Sequence, residues 1–91
     1  MNPVSRAGLR LITEDYRKKV LLARVKDTVK NIYNSVMASA SAGLYTYRET
    51  VEITADIEKD VESELKRLFI GSTIILKRDV YRNVQGIEIT W

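Results

Sequence analysis

Glu64-Leu65-Lys66 is the stretch of this chain closest to a catalytic signature, an E-x-K spacing of the kind used for metal-assisted phosphodiester cleavage. That chemistry needs the pair on a strand beside a further acidic ligand. Here the surrounding residues repeat with a helical period, and the charges suit a solvated face. Asp56, Asp60 and Glu64 recur every four residues and could hold a divalent cation loosely, a pattern that an acidic helix face shows equally well. Histidine and cysteine are both absent, which removes Ser-His and Cys-His catalysis, thiolate zinc sites and disulfides. Gly8, Gly43, Gly71 and Gly86 stand singly, so no glycine-rich loop can cradle a phosphate. The expectation is a non-enzymatic protein with no metal and no cofactor.

Basic residues offer a second chemistry. Net charge is +3 over 91 residues, but it is unevenly placed. Residues 1–30 hold eight Lys/Arg against three Asp/Glu, and residues 31–91 hold seven against nine. Arg17, Lys18, Lys19, Arg24, Lys26 and Lys30 fall in the first group. Lys77, Arg78 and Arg82, together with Tyr81, form a second near the hairpin, beside Tyr45 and Tyr47 as candidate stacking rings. This set defines a nucleic-acid-binding alternative, although the aromatic RRM signature and the G-x-x-G of KH domains are missing. The same bases fit the flanks of a protein interface, including an acidic surface of another copy.

The elements that must position these groups follow from periodicity. Residues 1–12 contain the only proline, Pro3, and read as an irregular arm preceding a single domain over 13–91. Thr13-Glu14-Asp15 supplies a helix start. Leu22, Val25, Val29, Ile32 and Val36 follow at spacings of three and four, and Gly43 marks the end. Residues 44–53 alternate as a strand, in full or only as far as Glu49, with Tyr45, Tyr47, Val51 and Ile53 on the apolar side. A second helix, capped by Thr54 or Asp56, would bury Ile57, Val61, Leu65 and Leu68. Two strands about a loop at 82–85 close the pattern, with Ile87, Ile89 and Trp91 directed into the core. The fold class is α+β in the order α-β-α-β-β, a small antiparallel or mixed sheet with helices on one face.

Length then matters. A helix over 14–42 has roughly 28 residues and spans about 42 Å, whereas strands of about six residues span about 20 Å. The N-terminal half should overhang the sheet, exposing Tyr16, Val20, Leu21, Leu22 and Val25 as a candidate protein interface. Two arrangements would cover them: the arm folds back with Leu9, Leu11 and Ile12, or another chain docks.

Residues 38–91 resemble small uncharacterised α+β proteins of tailed phages and large DNA viruses. "ASASAGLYTY", "VESELKRLFIGSTIIL" and "IEITW" carry the resemblance, the last as a closing I-x-I-x-W strand. Ile70 before Gly71 and the long basic helix depart from the pattern. The resemblance implies a virus-encoded structural, assembly or accessory protein, placed in the host cytoplasm or the virion. Its partners would be further copies of itself or other viral protein chains. The absence of a long apolar run argues against a membrane partner.

Overall fold

The first helix starts earlier than Thr13. A computed structural model describes all 91 residues, and in it α1 runs over Arg6–Ser41, 36 residues or about 54 Å. Ser5 is the cap, its Oγ accepting the Gly8 N–H at 3.1 Å. Thr13 lies inside the helix and donates its hydroxyl to the Leu9 carbonyl at 3.0 Å. The expected irregular arm therefore shrinks to residues 1–5. Pro3 precedes the cap, and one interior glycine costs only about 1 kcal/mol, too little to stop a helix. At the other end the expectation holds. Gly43 is left-handed (φ 85), and Leu44 and Gly43 return N–H groups to the Ser39 and Ala40 carbonyls, both at 3.0 Å.

β1 (Thr46–Ile53), α2 (Glu58–Leu68), β2 (Thr73–Arg78) and β3 (Val84–Thr90) complete the α-β-α-β-β order. The sheet is wholly antiparallel with order β1-β3-β2, so the last strand is the central one. Tyr47, Ile89 and Ile74 align across it on the face beneath both helices; Arg48, Glu88 and Ile75 align on the other face. There Glu88 bridges Arg48 at 3.1 Å and Lys77 at 3.4 Å, which ties the three strands together. The register shifts by one residue on both sides of β3, between Thr50 and Ile53 and between Lys77 and Arg78. These bulges break strict alternation, so Val84 and Ile87 are both buried although their parity differs. Gly86 sits at this level, and a Cβ there would stand 3.3 Å from the Glu49 carbonyl oxygen.

The hairpin loop differs from expectation. It occupies residues 79–83, because the Asp79 carboxylate accepts the Tyr81 and Asn83 N–H groups at 2.9 Å each and nucleates the turn. Val84, expected in the loop, is 1% exposed and belongs to the core.

Val29, Ile32 and Val36 of α1, Val61 and Leu65 of α2, and Tyr47, Ile53, Val84, Ile87 and Ile89 of the sheet pack with Ile57 into one cluster. Three expected core residues lie outside it: Tyr45 is 75% exposed, and Trp91 and Leu68 are each 37% exposed. Parity sets the face a residue points to, not whether another element reaches over it. Trp91 instead extends the ladder by one step, its N–H donating to the Tyr45 carbonyl at 3.0 Å.

Only 12 of 91 residues are buried, so each core side chain carries a large share of a small domain's stability. Leu65→Ala should cost about 2–5 kcal/mol, and Trp91→Ala distinctly less, in chemical denaturation. Equal losses would contradict this packing. The Tyr47 hydroxyl is raised from 10.0 to about 12, first by burial and then by its hydrogen bond to Glu49. A folded-state value above the unfolded one contributes stability that is whole below pH 10 and is lost as pH rises through about 12. In alkaline titration of tyrosinate absorbance, Tyr47→Phe should remove a component near pH 12. An unchanged profile would contradict the assignment.

Candidate interaction surface on the first helix

α1 is held to the domain from Leu21 onward, chiefly by its C-terminal half. Its buried residues are Val29, Ile32 and Val36, and Tyr33 stacks on Phe69 at a centroid distance of 5.7 Å. One turn after Leu21, near the N-terminal limit of this attachment, lies a polar clamp. Arg24 donates to Asp56 at 3.0 Å and to the Thr54 hydroxyl at 2.6 Å, and Thr54 donates to Asp56. The residues expected to cap α2 thus secure α1 instead. The Thr54 hydroxyl, with the charge of Arg24 in support, holds the Asp56 carboxyl below its usual range. The clamp therefore contributes above the ordinary carboxylate range and loosens as pH falls through the lowered value.

Beyond the clamp the helix projects. Residues 6–20 cover about 22 Å; none of them is buried, and all but the partly covered Gly8 are exposed. Fold-back of the arm does not occur, since Leu9, Leu11 and Ile12 are part of this continuous helix and are 55–64% exposed. The molecule accordingly measures 60 × 30 × 19 Å.

The five expected interface residues divide. Tyr16 (69% exposed), Leu22 (60%) and Val20 (38%) are open to solvent, whereas Leu21 and Val25 pack against the core. A feature not read from the sequence is an apolar stripe of Leu9, Ile12, Tyr16 and Val20, spaced 3, 4 and 4 along the helix. At about 100° per residue it lies on roughly the opposite side of α1 from the stripe that meets the sheet. No element of the same chain can cover both. The spacing was present in the sequence, but a helix start placed at Thr13 cut the stripe in two.

Leu22 has a different neighbourhood. With Val25, Val29 and Tyr33 of α1 and Leu68 of α2 it forms the apolar floor of a groove of about 620 Å³ between the two helices. Lys26 and Lys30 line its α1 wall, and Asp60 and Glu64 its α2 wall.

The candidate nucleic-acid residues are not gathered into one surface. Arg24 is committed to Asp56, Arg78 to Glu58, and Lys77 to Glu88. Arg82 is left-handed (φ 65) in the hairpin loop, where its carbonyl accepts from Arg78 at 3.1 Å. Tyr47 is buried, so of the two candidate stacking rings only Tyr45 is exposed, as is Tyr81 in the hairpin loop. Arg17, Lys18 and Lys19 on the projecting helix, with Lys26 and Lys30 on the groove wall, remain without an ion-pair partner. The acids that could have made a catalytic or cation site do not converge: Asp56 faces Arg24, Glu64 pairs with Arg67, and Lys66 pairs with Glu62. No helix is long and apolar enough to cross a membrane. No family model matches the chain, and no curated protein or solved structure is significantly similar to it.

Proposed function

We propose that this chain is a non-enzymatic binding protein that holds another polypeptide on the projecting half of α1. One observation carries the reading: residues 6–20 form four turns of helix without buried side chains, and they present Leu9, Ile12, Tyr16 and Val20 to solvent. An isolated helix of about 15 residues is marginal in water, and most helical stability comes from packing an amphipathic face. An exposed apolar stripe continuous with a rigid domain is a recognition surface of the helix-in-groove kind. The resemblance of residues 38–91 to small phage and large-virus proteins supports a virus-encoded structural, assembly or accessory role, in the host cytoplasm or the virion.

A second reading, nucleic-acid binding, has its own support. Arg6, Arg10 and Arg17 lie along one side of the projecting helix, and none of the six ion pairs uses them.

A photo-crosslinking residue at Ile12 or Tyr16, in cells expressing the protein, separates the two. The expected result is covalent protein adducts at both positions and none at Lys59, an exposed site on α2. Adducts confined to nucleic acid, or none at all, would overturn the protein-binding reading.

A further inference from the structure

We infer that the polypeptide received by the projecting helix is an acidic amphipathic helix of a different chain, packed along the Leu9–Val20 stripe with its carboxylates against Arg6, Arg10 and Arg17. The inference rests on the protein-binding reading above and names the chemistry of its partner.

The shape of the apolar surface comes first. At about 100° per residue, Leu9, Ile12, Tyr16 and Val20 fall within an arc of about 80° and extend over about 17 Å of helix. So narrow a stripe is the seam that one helix lays against another, narrower than the face by which a helix enters a core.

Charge sets the chemistry of the partner. Arg6, Arg10 and Arg17 lie within about 40° of one another and form one edge of the seam, roughly 75–115° round from its middle. None of the six ion pairs uses them. Glu14 is the one acid near this row, and it lies beyond the row, about 155° from the seam. The opposite edge is mixed, with Lys19 one turn after Asp15. The seam therefore has one basic edge and one nearly neutral edge. A phosphate backbone or an anionic lipid surface does not call for that asymmetry. A helix with carboxylates along one edge of its own apolar seam matches it.

A second copy of this chain does not supply the acidic edge. Antiparallel pairing of two such seams sets the arginines of one copy against those of the other, and parallel pairing sets them against Lys19. The groove between α1 and α2 is no better, because Lys26 and Lys30 offset Asp60 and Glu64, and Glu64 is already held by Arg67.

The test titrates purified full-length protein into a labelled synthetic helical peptide with a leucine seam and glutamates along one edge. Peptides of the same length with glutamine or lysine on that edge are the controls. The glutamate peptide should bind, and its affinity should fall as salt is raised; the glutamine peptide should bind more weakly and the lysine peptide not at all. Binding should also slow amide exchange of residues 9–20, where no side chain is buried in the free protein. Arg17→Glu should weaken binding roughly 10-fold, and Lys18→Glu, nearly opposite the seam, less than about 2-fold. Both substitutions set a new acid beside Glu14, so loss of helix alone would affect them equally. Equal effects of the two, no preference among the peptides, or binding to phosphatidylserine vesicles or a DNA oligonucleotide but not to the glutamate peptide would overturn the inference. If the glutamate peptide does not bind but Ile12 and Tyr16 still give protein adducts in cells, the inference falls and the binding reading stands with another partner. Absence of those adducts as well would remove both.

Discussion

The structure turns on a mismatch of lengths. α1 is about 54 Å long, while six to eight residues of extended strand reach only about 20–27 Å. A sheet of three such strands can bury one half of the helix and no more. Everything else follows from which half it buries. The C-terminal half carries Val29, Ile32 and Val36 and leads through Gly43 into β1, so chain connectivity brings it over the sheet. The other half is left over, and its composition differs accordingly: bases predominate, and its apolar residues line a different side of the helix.

The small core is consistent with that division. β3, the last strand in the chain, is the middle strand of the sheet, and Val84, Ile87 and Ile89 are each at most 1% exposed. The two helices supply a lid only wide enough for the central levels of the sheet. Tyr45 and Trp91 lie at its end and are left partly open. The outer face is closed by charge instead of packing, through the Arg48, Glu88 and Lys77 group, whose exposed pairs contribute little individually. Attachment of α1 ends with Leu21 against the core and Arg24 one turn on, where a guanidinium, a hydroxyl and a carboxylate bind one another at the surface. Past that point helical order depends on backbone hydrogen bonds and whatever lies against the exposed stripe.

Much of this was legible in the sequence, and the rest was hidden for definite reasons. Element order and most of the core followed from periodicity, because Val29, Ile32, Val36, Val61, Leu65, Ile87 and Ile89 obey the period of the element that holds them. The hairpin loop was misplaced because an Asp79 side chain, not a glycine, sets the turn, and because paired bulges at Gly86 reset the parity that Val84 would otherwise follow. Thr13 looked like a cap since its hydroxyl suits one; only the structure shows that hydroxyl satisfied by Leu9. The consequence for the candidate site was large, as that one boundary concealed Leu9 and Ile12 as members of a stripe with Tyr16 and Val20. Projection of the N-terminal half was anticipated from length alone, but the side it would present was not.

The projecting half of α1 lacks the packing that holds the other half, so its order in the free protein must be weaker. Hydrogen exchange of the purified protein, read residue by residue, is the most direct test. The account predicts that amides of residues 9–20 exchange much faster than those of Val29, Ile32 and Val36. Equally slow exchange over both halves would mean that the projecting helix is stable without a partner, and would contradict it.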